Sequence, residues 1–289
     1  VEKLPFRMLR LFLTLLLAFA ISAVSLNGTS TSSTNGYRFQ KTGTELGRGG
    51  FGVVYLARSN IPGYPYVALK CLSKSTSPTE MDMEYRYQAA ASQSEFVLKV
   101  FGIATMDGQK CMVLEYADLG DMSDYLFKKM GRPLMENEAK GIYWRLASGL
   151  AYLHRAGLAH RDIKLQNFLV AGAQRLPKIA DFGLSVFTDK RDLAAKRNQR
   201  CGTPGYMAPE MAKPEVLKDV TKVDVYALGA SYRMGLTGEA APQRFTDTNP
   251  KWQALSPQAR DLITGMMRPD PDQRPTMQQV LQHPWLRRN

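Results

Sequence analysis

Hydrophobic and polar positions divide the chain into a strand-rich part and a helix-rich part. Arg38 to Leu46, Val53 to Ala57, Val67 to Lys70 and Met112 to Ala117 read as short strands punctuated by turn residues. Thr79 to Ala91 reads as a helix. From Leu134 to Ala156 and from Leu255 to Met267 apolar residues recur at helical spacing. Ser256 precedes Pro257 at the start of the last stretch, which suits an N-cap followed by proline at the first helical position. Strands therefore lie mainly before about Glu115 and helices after it, an α+β arrangement. No internal repeat is visible.

A different pattern precedes all of this. Lys3, Arg7 and Arg10 lead into a nearly uninterrupted apolar run from Leu11 to Leu26. A basic head before an apolar stretch is the layout of a secretory signal peptide, with Ala18-Phe19-Ala20 and Ala23-Val24-Ser25 as cleavage sites. The run is short for a membrane span, which takes roughly 20 apolar residues. Residues 1–26 are thus expected to be a signal peptide, with an uncleaved anchor or a mis-called upstream segment as the alternatives. Positive charge on the N-terminal side alone would send the rest of the chain across the membrane in either of the first two cases. Localisation is expected in the secretory pathway or outside the cell, alternatively as an anchored, exported domain, with membrane contact only through an uncleaved N-terminal segment. Residues 27–36, which include the sequon Asn27-Gly28-Thr29, read as a flexible linker.

The 289 residues carry a formal net charge of +12. A basic balance can mean nucleic acid, but no RNA- or DNA-binding motif is present, so no nucleic-acid partner is expected. Lys190, Arg191, Lys196, Arg197 and Arg200 crowd one stretch against Asp189 and Asp192. Three cysteines, Cys71, Cys111 and Cys201, make no disulfide framework. Cys71 and Cys111 fall on expected strands and read as core residues. No His/Cys cluster suggests zinc.

The chemistry lies in a series of short motifs. His160-Arg161-Asp162 is followed by Lys164 and Asn167, then by Asp181-Phe182-Gly183. Asp162 can accept a proton from a hydroxyl, Lys164 can neutralise phosphoryl charge, and Asn167 with Asp181 offers the oxygen ligands a hard cation prefers. Upstream, Gly47, Gly49 and Gly52 form a glycine-rich loop between two strands, where backbone can approach phosphate closely. A dinucleotide-binding loop should instead open a helix. Val67-Ala68-Leu69-Lys70, Met112 to Ala117, Ala208-Pro209-Glu210 and Asp272-Gln273-Arg274-Pro275 follow in order. Each alone has a bland reading: a loop aspartate is usually a cap, a strand lysine a solvated face, a glycine cluster a turn. Their common order outweighs that.

On these residues the chain, from about Tyr37 to Asn289, resembles the eukaryotic protein kinase superfamily, whose signature this is. The resemblance implies a two-lobed fold, with a mostly β small lobe at 37–115 and a mostly helical large lobe at 118–289. It implies a Ser/Thr protein kinase using ATP and Mg²⁺, with Asp162 as catalytic base, Lys164 on the moving phosphoryl group and Asn167 and Asp181 on the metal. Lys70 would contact the α- and β-phosphates and pair with Glu84, or with Glu80 one turn earlier. Leu46, Gly47, Gly49, Gly52, Val54, Ala68 and Leu169 would enclose the nucleotide with Lys70. The backbones of Glu115 and Ala117 would bind adenine, Asp121 the ribose, and Leu114 would gate the back of the pocket. Glu210 would pair with Arg274, and Asp224 would anchor the catalytic loop. The rival readings are a nucleotide-binding pseudokinase scaffold and a secreted binding module. The layout, though no shared residue, is similar to secreted parasite kinases of the rhoptry type.

Lys164 and the stretch Cys201 to Tyr206 imply Ser/Thr rather than Tyr specificity. The basic cluster borders the peptide site of such enzymes, so protein substrates that are acidic or already phosphorylated are one expectation, a solvated charged loop the other. Arg161 would pair with a phosphate bidentately, yet Gln199 stands two residues before Cys201, where the usual acceptor falls. Activity is therefore expected not to depend on phosphorylation there. The stretch from Asp224 to Asp261 is short for the family, with the helix after the long central one expected to be missing.

Overall fold

The computed structural model describes residues 31–49, 52–73, 77–172, 176–189, 192, 199, 201–212, 218–240 and 248–287. The apolar run expected as a signal peptide or anchor, and all five basic residues Lys190, Arg191, Lys196, Arg197 and Arg200, lie outside the described residues. Among the described residues no helix is long and apolar enough to cross a membrane.

The first half is a six-stranded antiparallel sheet of β1 (Thr31–Thr34), β2 (Tyr37–Gly49), β3 (Gly52–Ile61), β4 (Tyr64–Leu72), β5 (Val100–Met106) and β6 (Gln109–Glu115), in the order β1-β2-β3-β4-β6-β5. Helix α1 (Pro78–Ala91) crosses it, started by Pro78 at its first turn and by Ser77, whose hydroxyl accepts the Thr79 N–H. Two of the hairpins turn on residue pairs with positive φ, Asn35-Gly36 and Asp107-Gly108. Such pairs match the right-handed twist of the strands they join.

Two expectations need correction here. The segment 27–36, read as a flexible linker, contributes β1, which pairs residue for residue with β2 from Thr31↔Gln40 to Thr34↔Tyr37. The Asn35 side chain donates to the Phe101 carbonyl at 3.0 Å, so the hairpin also fastens to β5 at the far edge of the sheet. The polar composition that suggested a linker equally suits an exposed edge strand beside an Asn-Gly turn. Cys71 and Cys111, read as unbridged core residues, form a disulfide with Cα atoms 4.0 Å apart. They are direct cross-strand partners on β4 and β6, a register that cysteine spacing does not reveal.

The second half is built on α2 (Met122–Asp124, continuing as a wide turn through Lys129), α3 (Glu136–Arg155), α4 (Thr221–Thr237), α5 (Pro250–Gln253), α6 (Pro257–Met266) and α7 (Met277–Gln282). Short strands β7 (Leu158–Ala159), β8 (Phe168–Ala171), β9 (Leu176–Ile179) and β10 (Val186–Phe187) carry the chain between α3 and α4. The apolar faces of α3, α4 and α6 share one core. At its centre Tyr143 and Tyr232 stack at 3.9 Å, and each hydroxyl donates to the other's backbone carbonyl. Gly235 makes room: a Cβ there would sit 2.2 Å from the Tyr143 hydroxyl. Ser256 caps α6 through the Ala259 N–H, as the sequence suggested. Between α4 and α6, where a helix was expected to be missing, the described residues hold the single turn α5.

Candidate active site

The side chains with chemistry meet where the sheet faces the helical half. Lys70 leaves β4 on the cleft side, and α1 presents Glu84 to it. The Lys70 ammonium donates to Glu84 at 2.6 Å and to Asp181 at 2.9 Å. Glu80, the alternative partner, is exposed. Burial works against the charge on Lys70, but Asp181 and Glu84 outweigh it and hold its pKa above the ordinary 10.5. Burial likewise favours the neutral form of Glu84, whose pKa is raised despite Lys70. Asp181 is also pushed upward by burial, yet Lys70 wins and keeps it below 3.8.

Asp162 sits in a short loop after β7, and both its oxygens are engaged. Oδ1 accepts the Thr203 hydroxyl at 2.8 Å. Oδ2 accepts the Lys164 ammonium at 2.7 Å and the Asn167 amide at 3.0 Å. Lys164 also donates to Thr203 at 2.9 Å, closing a triangle. Asn167 spends its N–H₂ on Asp162, which leaves its amide oxygen as the acceptor for a cation. With the Asp181 carboxylate, 39% exposed toward the cleft, this all-oxygen pair fits a hard divalent metal.

The loop is held from beneath. Asp224, fully buried on α4, accepts the backbone N–H of His160 at 2.9 Å and of Arg161 at 2.7 Å, and contacts His154 Nε2 at 2.9 Å. His160 bonds the Ala180 carbonyl through Nε2 and packs its ring edge on Phe182. Arg161 and Asp181 both adopt positive φ, 65° and 64°, conformations that non-glycine residues keep only where the surroundings impose them. Glu210 receives two bonds from the Arg274 guanidinium, at 2.6 and 2.7 Å.

Val54, Ala68, Leu114, Ala117 and Leu169 gather in one apolar cluster above this chemistry. Leu46 remains an exposed apolar residue at its rim, and Gly47, Gly49 and Gly52 close β2 onto β3. Gly52 has φ 146°, and a Cβ there would fall 1.9 Å from the Cys71 carbonyl. The tip residues Gly50 and Phe51 lie outside the described residues. Asp121 caps α2 by accepting the Asp124 N–H at 3.0 Å, and bridges to Leu169. The reading from sequence missed Met112, buried in the same cluster, and Lys178, which donates to both oxygens of Glu115 at 2.7 Å. Met112 stands two residues before Leu114 on the same face of β6, but the unbroken apolar run Cys111 to Leu114 does not single it out; nothing local marks Lys178.

A β-rich lobe and a helical lobe that share a lysine-carboxylate pair across a cleft define a two-lobed protein kinase fold. The chain belongs to that family: residues 40–286 match the family model described as the protein kinase domain. The family implies ATP and a divalent metal. The chain is 29% identical to an Aurora kinase of Schizosaccharomyces pombe over 84% of its length and 70% of that protein. It is 31% identical to CBL-interacting protein kinase 4 of Oryza sativa subsp. japonica, covering 86% of this chain and 57% of the relative. It is 30% identical to the SNF-related serine/threonine-protein kinase of Homo sapiens, covering 86% of this chain and 33% of the relative. The chain thus spans from a third to some 70% of these relatives' lengths.

Proposed function

We propose that the chain transfers the γ-phosphoryl group of ATP to serine or threonine hydroxyls of proteins. The observation that carries this reading is Asp162 held by Thr203, Lys164 and Asn167 beside the Lys70–Glu84–Asp181 cluster. No catalytic group of the series is replaced by one unable to serve, so the pseudokinase alternative has no residue in its favour.

Asp162 orients the acceptor hydroxyl and takes its proton as the oxygen attacks the γ-phosphorus and the bond to the β-phosphate oxygen breaks. Lys164, already beside Asp162, neutralises charge on the moving group. Lys70, steadied by Glu84, holds the α- and β-phosphates. Asn167 and Asp181 would hold Mg²⁺, which when bound draws phosphate charge. Val54, Ala68 and Leu169 sandwich the adenine, Leu114 limits the pocket's depth, and the backbones of Glu115 and Ala117 read the base's edge. Asp121 faces the ribose. Positioning and electrostatics supply the rate, as phosphoryl transfer demands little covalent chemistry of a protein. ATP-dependent labelling of a Ser/Thr peptide library with Mg²⁺, wild type beside Asp162→Ala, tests this. Labelling by wild type alone supports it; nucleotide binding with no labelling by either favours a scaffold.

The basic residues Lys190, Arg191, Lys196, Arg197 and Arg200 support acidic or already phosphorylated substrates. A library preference for basic flanking residues would remove that part. Export of the domain is supported by the apolar run Leu11–Leu26 and by the Cys71–Cys111 disulfide, since such bridges persist in oxidising compartments. A tagged full chain found only in the cytosol, with both thiols free, would contradict it.

A further inference from the structure

Gln199 and Asp192 lie in the stretch between Asp181 and Glu210, outside the machinery just described, and both engage groups that position it. The Arg161 guanidinium belongs to a buried residue next to Asp162. It donates through Nε to the Leu184 carbonyl at 2.7 Å and through a terminal nitrogen to the Gln199 side-chain oxygen at 3.1 Å. Burying a cation is costly unless it is well supplied with acceptors, so these bonds fix where the Arg161 side chain goes. Its backbone, at positive φ and tied to Asp224, passes that constraint to Asp162, the next residue.

The second tie reaches α1. One oxygen of Asp192 accepts both the Phe187 N–H and the Tyr87 hydroxyl, each at 2.8 Å. Tyr87 lies one turn beyond Glu84 on α1 and packs its ring edge on Phe187 at 5.1 Å. Asp192 therefore ties to the helix that presents Glu84 to Lys70, and Gln199, through Arg161, to the loop that presents Asp162. A phosphate in such a segment would act by bringing acceptor oxygens to a guanidinium; here the Gln199 amide oxygen accepts from the guanidinium, and the Asp192 carboxylate accepts from Tyr87 and Phe187.

We propose that the segment is latched in its working position by these unmodified side chains, with Gln199 as the positioning residue that acts on Asp162 through Arg161, so that transfer needs no phosphate on the segment. This rests on the proposed phosphoryl transfer. A carboxylate accepts from the guanidinium more strongly than the uncharged amide oxygen of Gln199 does, so Gln199→Glu tightens the latch and Gln199→Ala opens it. Gln199 is exposed, so neither change threatens folding.

The test uses the full chain made with a co-expressed phosphatase, its segment shown by mass spectrometry to carry no phosphate. Initial rates on a Ser/Thr peptide are compared before and after incubation with ATP. The latch predicts transfer without a lag by the unphosphorylated enzyme. It predicts a kcat about tenfold lower in Gln199→Ala, as loss of one hydrogen bond allows, with the KM for ATP and the Tm unchanged. Gln199→Glu restores wild-type kcat or exceeds it. Transfer only after segment phosphorylation, or a Gln199→Ala enzyme equal to wild type, overturns the latch while leaving the proposed function standing. No transfer in either phosphorylation state overturns both.

Discussion

Lys70→Met is a nearly volume-conserving change that isolates the electrostatics of the cleft. The ammonium lies 2.6 Å from Glu84 and 2.9 Å from Asp181, and the Lys70 and Glu84 side chains are largely buried. Without it two carboxylates face each other through low-dielectric surroundings. The two carboxylates already act on each other at close range; like charges about 4 Å apart at an effective dielectric of about 20 repel by about 4 kcal/mol. Removing one partner of a buried pair costs about 3–5 kcal/mol. Glu84, whose pKa burial already raises, is then the carboxylate that a proton neutralises first as pH falls. In the wild type the Lys70 contribution is fully present below its ordinary pKa and is lost only as pH rises through its raised folded value. The Asp181 contribution is present above its ordinary value and is lost as pH falls through the depressed one. Between these limits the pH dependence of the cluster comes from Glu84, whose raised pKa makes the fold gain stability as pH falls through it. The variant should be less stable by about 3–5 kcal/mol at pH 8, and the deficit should shrink as pH falls and Glu84 is neutralised. Urea unfolding across a descending pH series measures it, and Lys70→Met/Glu84→Gln should regain most of the loss at pH 8. A single variant as stable as wild type, or a double variant no better than the single, refutes the reasoning.

Three further outcomes follow from the packing and the charges. Gly235→Ala drives a Cβ into the Tyr143 hydroxyl and should cost about 1–3 kcal/mol. Gly141→Ala, in open space on the same core's α3, should gain about 0.5–1 kcal/mol; equal Tm shifts in the two would contradict the packing. Arg132 first, then the Met135 N–H, hold the Glu138 pKa down at about 2. Its stabilisation is therefore present above about 4.5 and is lost as pH falls through about 2. The Tm deficit of Glu138→Gln should accordingly shrink over that window, and a deficit constant with pH would count against the ion pair. The Cys71–Cys111 bridge closes a loop with a sequence separation of 40, so chain entropy assigns it about 4 kcal/mol. Non-reducing peptide mapping should find the linked pair, and Cys71→Ala/Cys111→Ala should lower the urea midpoint; free thiols in protein from an oxidising compartment would refute it.

Much of the site could be read from the sequence because its chemistry sits in contiguous motifs. Asp162, Lys164 and Asn167 share one short loop, so their spacing nearly dictates the mutual contacts seen at 2.7 and 3.0 Å. Motif spacing favoured Glu84, but Glu80 lies one turn earlier on roughly the same face, so it took the structure to pair Glu84 with Lys70 and leave Glu80 exposed. What escaped depends on register and on distant approach. Cys71 meets Cys111 through a cross-strand alignment, and Tyr87 meets Asp192 across 105 positions. The hairpin of β1 was signalled by Asn35-Gly36, but its polar residues masked the strand, because an edge strand needs no alternating apolar face. Lys178 reaches Glu115 across 63 positions, a separation no local pattern encodes.

The account stands on Asp162 acting where Thr203, Lys164 and Asn167 hold it. The most direct test is the single-turnover rate of γ-phosphoryl transfer to a Ser/Thr peptide, wild type beside Asp162→Asn, with ATP affinity measured on the same samples. The account predicts a rate about 10²–10⁴-fold lower in the variant, the range a positioned acid-base group supplies, with ATP bound equally well by both. Equal rates, or ATP bound by both and transferred by neither, would contradict it.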